Sequence, residues 1–262
     1  MIRAMRTAAT GMKAQQLNVD NIAHNLANVN TAGFKKSRIE FQDLFYQQMK
    51  VAGNPSASGG ESPANLEIGY GTTPVSTQRL FSQGELISTD SPLDIAIKGD
   101  GFFRLVLPDG TYGYTRDGSF KITSEGRLMN TDGYLLDPDI TIPEDTTQVS
   151  ISPDGAVAVS VSGDSTPQAV GQIELVRFIN PAGLTALGQN LFGVTPASGE
   201  ALPGTPGQDG LGQVAQGYIE VSNVDIVEEM IALITAQRAY EINSKAIKTS
   251  EEMMTQANNL SR

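Results

Sequence analysis

The sequence predicts an α+β fold: N- and C-terminal helices paired as a coiled-coil-like assembly domain, with an all-β middle domain. Three observations carry that expectation. Apolar residues recur every seven positions at both ends of the 262-residue chain, Asp-Gly pairs punctuate short β-prone runs between them, and a chain of this size can bury a sizeable core. The expected division is 1–33 plus 224–262 as the helical core assembly domain, 34–75 as connector and extended arm, and 76–223 as a β-rich outer domain.

The first thirty residues read as one amphipathic helix. Met5, Met12, Val19 and Leu26 stand at seven-residue spacing, with Ala8, Gln15, Ile22 and Val29 three positions later, a narrow apolar seam. Asn18, Asn21, Asn25 and Asn28 line up beside it. Asparagine is a poor interior helix former, so four such sites forgo roughly 2 kcal/mol relative to alanine. Two readings are open: the amides hydrogen-bond to neighbouring chains without the repulsion of a charged row, or they form a solvated polar face. Gly33 is a natural left-handed residue to end the helix, and Phe34 beside it can anchor the exit against a neighbour.

Val51 to Pro63 is almost wholly small, polar, Gly and Pro, a composition that cannot bury enough apolar surface to fold alone. Its flanks differ: Phe41, Leu44, Phe45 and Tyr46 precede it, and Leu66, Ile68 and Tyr70 follow. The stretch from Tyr46 to Tyr70 is therefore expected to be an arm that is loose in the monomer and docks on adjacent subunits, or else a disordered spacer.

The middle is expected to be all β. Asp100-Gly101, Asp109-Gly110, Asp117-Gly118, Asp132-Gly133 and Asp154-Gly155 supply the φ > 0 positions of tight hairpins. Strands are expected at Leu93–Ile97, Phe102–Leu107, Thr111–Arg116, Ser119–Thr123, Val149–Ile151, Val157–Val161, Gln172–Phe178 and Leu191–Val194, in a sandwich, small barrel or folded meander. Ala197 to Gly212 reads as a surface loop. A second seam then closes the chain, Ile226, Leu233, Tyr240, Ile247 and Met254 repeating every seven. Neither narrow seam is stable in isolation, so the two ends must meet.

Charge and composition remove whole classes of function. With no cysteine and a single histidine, His24, the chain cannot build disulfide frameworks, thiol nucleophiles, Ser-His-Asp triads or multi-histidine metal sites. The net charge of −11 opposes nucleic-acid binding and anionic membranes, and it falls on the middle. Residues 1–33 carry Arg3, Arg6 and Lys13 against Asp20, while 224–262 carry six acids against four bases. No apolar run is long enough to span a membrane, so no membrane insertion is expected, and Arg6, Lys13, Gln15, Gln16 and Asp20 interrupt the region where a cleaved signal would need its apolar stretch. Asp137-Pro-Asp139 and its surroundings lack the alternating ligands and closing Glu of a calcium loop.

The run Asn25-Leu-Ala-Asn-Val-Asn-Thr-Ala-Gly-Phe-Lys35, with Ser222-Asn-Val-Asp225 opening the last helix, resembles the bacterial flagellar rod and hook axial proteins. Leu93-Asp-Ile-Ala-Ile-Lys-Gly-Asp-Gly-Phe-Phe103, Tyr114-Thr-Arg-Asp-Gly-Ser-Phe120 and Ala236-Gln-Arg-Ala-Tyr-Glu-Ile-Asn-Ser-Lys245 are similar to further signatures of that family, in the same order. Asp43-Leu-Phe-Tyr46, Leu107-Pro-Asp-Gly110 and Gln216-Gly-Tyr-Ile-Glu220 make the chain most similar to the members that build the distal rod, with a proximal-rod subunit, similar in the helices but mostly shorter or divergent in the middle, as the alternative. Thr31-Ala32-Gly33 departs from the Thr-Pro-Gly of several relatives.

The resemblance implies a non-enzymatic, cofactor-free structural subunit that self-assembles into a hollow helical drive shaft carrying motor torque to the hook. It implies export by the flagellar export apparatus without signal cleavage, a periplasmic rod location, and contacts with proximal-rod proteins, the hook protein and the surrounding ring bushing. The subunit interface is then expected at Met5, Met12, Val19, Asn21, Asn25, Leu26, Asn28, Gly33, Phe34, Tyr46, Ile226, Leu233, Tyr240, Ile247 and Met254. Two rivals belong to other classes. A glycan hydrolase would use carboxylates such as Asp94 and Asp117, although most candidate acids already have a reason in Asp-Gly turns. A membrane-surface protein would use Arg3, Arg6 and Lys13 on the first helix, against which the amide row and thin seam argue.

Overall fold

The computed structural model describes residues 2–50, 64–161 and 167–260. Two long helices bracket a mostly β middle, the α+β arrangement expected. The chain divides into two compact units: Met1–Leu26, Ser37–Gln78 and Asp225–Arg262 form one, and Ala27–Lys36 with Arg79–Val224 form the other.

In the first unit, α1 (Ile2–Ala27) and α2 (Ile226–Leu260) run antiparallel. Asn25 bonds Glu229 near one end, and Gly11 lies against Asn243 two heptads along each helix. The Asp225 carboxylate starts α2 by accepting the N–H groups of Val227 and Glu228 at 2.7 and 3.1 Å, an N-cap. That explains the last residue of Ser222-Asn-Val-Asp225.

The seam between the helices differs from the expected one. On α2 the inward residues are Glu229, Ala236, Asn243 and Ser250, a seven-residue repeat set three positions along from Ile226, Leu233, Tyr240, Ile247 and Met254. The reason is steric. Helix α1 presents Ala8, Gly11 and Ala14, a Cβ added at Gly11 would lie only 2.9 Å from the Asn243 amide, and so small residues face small residues. Large apolar side chains of α2 are displaced to the flanks: Ile226 and Tyr240 are exposed, and Leu233, Ile247 and Met254 are half-buried.

Strand β1 (Ser37–Asp43) pairs with β4 (Thr72–Arg79), while β2 (Tyr46–Lys50) pairs antiparallel with β3 (Leu66–Gly69). The start of β4 rests on α1, where the Thr72 N–H reaches the Thr10 hydroxyl at 3.4 Å. Residues 51–63, the Gly/Pro-rich part of the expected arm, lie outside the described residues.

The second unit holds the main core. Its seven-stranded sheet runs, in spatial order, Thr185–Gly188, Leu191–Gly193, Tyr112–Thr115, Phe103–Val106, Leu135–Asp137, Leu128–Met129 and Lys121–Ile122. A three-stranded sheet of Thr146–Ile151, Ala156–Val161 and Gln168–Gln172 accompanies it. Ile95, Ile97, Phe103, Leu105, Leu136, Val157 and Ile173 pack into one cluster, and Phe102, Tyr114, Val176, Phe178 and Phe192 into a second with edge-to-face ring contacts. Three Asp-Gly pairs, at 109, 132 and 154, close true hairpins. Asp100-Gly101 and Asp117-Gly118 do not: the strands flanking the first each pair with other strands, and Gly118 lacks a positive φ and is glycine because the Ile95 carbonyl occupies the space a Cβ would need.

The stretch from Ala197 to Gly212 is more than a surface loop. Leu202–Gly204 pairs antiparallel with Leu175–Arg177, and Ser198 and Leu211 are buried. A strand made from Leu-Pro-Gly carries only turn signals in sequence, and its pairing with a distant partner decides its state.

Candidate assembly site

The chain passes between its two units at four points, and inside each unit buried polar side chains fix the backbone next to some of them. In the first unit the tie is Ser37. Its N–H reaches the Asn25 Oδ1 at 3.0 Å, and its carbonyl accepts from the side-chain amides of Asn21 at 2.8 Å and Asn25 at 2.9 Å. Asn25 is 1% exposed and also donates to the Glu229 carboxylate at 3.3 Å, so one amide joins α1, β1 and α2. Asn21 and Asn25 thus make hydrogen bonds inside their own chain, Asn25 buried and Asn21 half-buried. Asn28, half-buried, accepts from the hydroxyl of Thr31 at 3.3 Å and turns the chain out of α1.

In the second unit the tie is a buried charge cluster. The Lys35 ammonium donates to the Glu220 carboxylate at 2.6 Å and to the Ser82 carbonyl at 2.7 Å, with both charged side chains fully buried. The Arg116 guanidinium approaches the other Glu220 oxygen at 3.4 Å. The Gly84 N–H adds a bond to the first oxygen, and the Gly33 N–H bonds the Glu220 backbone carbonyl, each at 2.8 Å. Asn223 completes the tie, accepting the Lys36 N–H at 2.7 Å and donating to the Leu80 carbonyl at 2.8 Å. Burial pushes the Lys35 ammonium below its usual pKa against the pull of Glu220, and does the same to Arg116. Two cations sharing one carboxylate leave each only partly compensated.

The other expected residues fall into two groups. Gly33 takes φ of +67° and abuts the Arg116–Asp117 backbone. Phe34 is buried in its own chain beside Arg79, whose guanidinium lies 5.8 Å from the ring. Met5, Met12, Val19 and Leu26 are half-buried along α1. Tyr46 is exposed, its hydroxyl donating to Asp43 at 2.7 Å, which raises the phenol pKa. On α2, Val227, Ile231 and Ile242 are 65, 58 and 68% exposed, beside exposed Ile226, Met230, Ile234 and Tyr240.

Sequence reasoning passed over Lys35, Ser37, Arg116, Glu220 and Asn223 as actors. All but Ser37 lie inside the quoted motifs; Ser37 follows one by two residues. Their signal was weak: polar residues with no shared spacing, whose partners lie more than a hundred residues away for Lys35, Arg116, Glu220 and Asn223 and 12 and 16 residues away for Ser37. Chemically the arrangement positions backbone. Among the described residues no group of three or more His, Cys, Asp or Glu could hold a metal ion, and no helix is long and apolar enough to cross a membrane.

Three family models match the chain: "Flagella basal body rod protein" over residues 5–35, "Flagellar hook protein FlgE/F/G D1 domain" over 96–159 and "Flagellar basal body rod FlgEFG protein C-terminal" over 215–260. They cover both helices and part of the second unit. The chain is 53% identical over 264 residues to the flagellar basal-body rod protein FlgG of Borreliella burgdorferi, covering all of both chains. It is 50% identical to that of Caulobacter vibrioides over 97% of each chain, and 39% identical to that of Bacillus subtilis over the full length of both. With its motifs tied into one fold and relatives aligned end to end, the chain belongs to the flagellar basal-body rod protein family and is a structural subunit of the flagellar rod.

Proposed function

We propose that this rod subunit builds the distal rod, self-assembling through its terminal helices into a hollow helical drive shaft that carries motor torque to the hook and has no enzymatic activity. The observation that supports this most is on α2. Small residues fill the contact with α1, and a run of large apolar side chains from Ile226 to Ile242 is left facing outward. Burying such a side chain is worth about 1.5–3 kcal/mol, and repeated along a lattice the gain is large. Export without signal cleavage to a periplasmic rod, and contacts with proximal-rod proteins, the hook protein and the ring bushing, belong to the same reading.

Removing Met1–Leu26 or Asp225–Arg262 tests it. Each deletion takes away one helix and leaves the second unit intact, so the expected product is a soluble β monomer that forms no rods in electron micrographs. Ordered rods from either truncation would refute assembly through paired helices. Leu233→Asp or Ile247→Asp in the full chain should abolish assembly and motility without changing the β signal in circular dichroism.

The β2–β3 hairpin supports a second element, a bracing arm over residues 46–70. Its described flanks expose Phe45, Tyr46, Met49 and Leu66, apolar groups suited to docking on adjacent subunits. Deleting Ala52–Ala64 should permit assembly yet give curved or flexible rods; straight, equally stiff rods would end the bracing idea.

A further inference from the structure

The chain passes between its units at 26/27, 36/37, 78/79 and 224/225. Motion between two such units is the default expectation, and it runs through Gly- and Pro-rich linkers or through a few loop residues free to change φ and ψ. These passages offer little of either. No glycine or proline lies within two residues of any of them: the chain reads Asn25-Leu-Ala-Asn28, Lys35-Lys-Ser-Arg38, Thr77-Gln-Arg-Leu80 and Asn223-Val-Asp-Ile226.

The 36/37 passage has no slack. The Lys36 N–H is held by the Asn223 Oδ1 at 2.7 Å in the second unit, and the next peptide N–H, that of Ser37, by the Asn25 Oδ1 at 3.0 Å in the first. The 224/225 passage is nearly as short. Asn223 is bonded on one side, Asp225 caps α2 on the other, and the residue between them, Val224, is buried.

The passages are also tied to one another. Asn223 stands at the last of them, and its side chain reaches two others: Oδ1 accepts from Lys36, while Nδ2 donates to the Leu80 carbonyl at 2.8 Å and the Ser82 hydroxyl at 2.9 Å. An amide suits this position because it accepts from one strand and donates to another. Lys36 and Leu80 are joined directly as well, the Leu80 N–H reaching the Lys36 carbonyl at 2.9 Å, and the Arg79 guanidinium donates to the Lys35 carbonyl at 3.3 Å.

We propose that Asn223 braces the passages at 36/37, 78/79 and 224/225 into one ribbon, so that the two units turn together and torque crosses between them without a hinge. This rests on the rod-subunit reading, in which torque is the load. A lone passage yields by rotation about its φ and ψ angles. Three passages bonded abreast yield only by sliding past one another, which breaks the bonds at Asn223 and between Lys36 and Leu80. Asn223 is therefore a positioning residue, and its loss should release motion between the units while each keeps its own fold.

The chain has no cysteine, so pairs of spin labels can be placed through introduced cysteines. Gln42→Cys with Thr111→Cys puts one label in each unit, and Thr111→Cys with Thr147→Cys puts both in the second; all three residues are exposed. Doubly labelled chain diluted into unlabelled chain and assembled into rods reports distances within single subunits. Asn223→Ala should widen the Gln42–Thr111 distance distribution several-fold and leave the Thr111–Thr147 distribution unchanged. Asn180→Ala, which removes an amide-to-carbonyl bond away from the passages, should change neither. Asn223→Asp keeps the acceptor for Lys36 and loses the donors, so an intermediate width is expected, and this variant carries the test if Asn223→Ala fails to fold. Equal widths in the parent and the Asn223 variants would overturn the brace, while rods in electron micrographs would leave the rod-subunit reading in place. Folded Asn223 variants that form no rods would overturn it too, making Asn223 a requirement of assembly rather than of stiffness. A parent chain that forms no rods would count against the rod-subunit reading, and the same comparison of widths in the soluble chain would then decide the brace.

Discussion

Lys35 and Glu220 stand 185 residues apart in the chain and meet at 2.6 Å with both side chains wholly buried. One follows the turn out of α1 and the other ends the strand Tyr218–Glu220 shortly before α2, so their contact joins the segment Ala27–Lys36 to the end of Arg79–Val224 within the second unit. Removing one partner of a buried pair is far more costly than the pair's net worth, about 3–5 kcal/mol, because the other charge is left without compensation.

The first prediction follows from the count of charges. Glu220 is the carboxylate in contact with both Lys35 and Arg116, so Glu220→Gln takes the nearest counter-charge from two cations, Arg116 keeping only the pull of Asp100, whereas Lys35→Met leaves Glu220 still facing Arg116. Glu220→Gln should therefore lower the unfolding free energy by about 3–5 kcal/mol and Lys35→Met by clearly less. Urea unfolding of both variants measures the order; a larger loss in Lys35→Met would show that Arg116 contributes nothing to Glu220.

The second concerns pH. The folded Lys35 ammonium has a pKa below the ordinary lysine value because burial outweighs the attraction of Glu220. Between those two values the unfolded chain binds more protons than the folded one, so stability from this group rises with pH across that window. Compared with Lys35→Met, which cancels the other titrations, the parent should gain relative stability as pH climbs toward the ordinary lysine range. A relative loss over the same range would mean that Glu220, not burial, dominates.

The third separates two neighbouring amides. Asn25→Ala leaves the Ser37 N–H without its acceptor and removes a donor from the buried Glu229. Asn21→Ala removes one donor from a Ser37 carbonyl and one acceptor from the Ser37 hydroxyl, both of which Asn25 still serves. An unsatisfied buried group costs about 1–3 kcal/mol, so Asn25→Ala should lose several kcal/mol and Asn21→Ala about 1. Hydrogen exchange should show α1 opening in the first variant and staying protected in the second; equal protection would deny Asn25 its linking role.

The two helices and most strands of the middle were legible in the sequence because their signals are local: a seven-residue repeat, short β-prone runs, and Asp-Gly at hairpin positions. The face of α2 that meets α1 was not. Apolarity pointed to Leu233 and Tyr240, but closeness is set by Gly11 and Ala14 across the contact, and a rule that ranks residues by hydrophobicity overlooks a seam built from Ala236, Asn243 and Ser250. The charge cluster was hidden for a different reason. Lys35, Arg116 and Glu220 obey no spacing, and only the folded β unit brings them together. Strands such as Leu202–Gly204 and Gln213–Gln216 exist because a partner strand passes beside them, which no window of a few residues contains.

The last prediction distinguishes two reasons for a glycine. Gly33 and Gly110 both have positive φ, +67° and +78°, where a side chain costs about 1 kcal/mol. At Gly110 an added Cβ would meet nothing within 4 Å. At Gly33 it would lie 2.5 Å from the Asp117 nitrogen and 2.8 Å from the Arg116 carbonyl carbon, backbone atoms that cannot swing aside. Relief there requires the crossing to lift, which would pull the Gly33 N–H off the Glu220 carbonyl and loosen Lys35 from its carboxylate. Gly110→Ala should therefore lose about 1 kcal/mol, and Gly33→Ala on the order of 3 kcal/mol or more, since strain and a disturbed buried network add. Lys35 should also become open to amine-modifying reagents in Gly33→Ala and stay shielded in Gly110→Ala. Similar losses in the two variants, with Lys35 shielded in both, would show that the left-handed turn alone selects glycine at 33 and that the close approach to Arg116 is incidental.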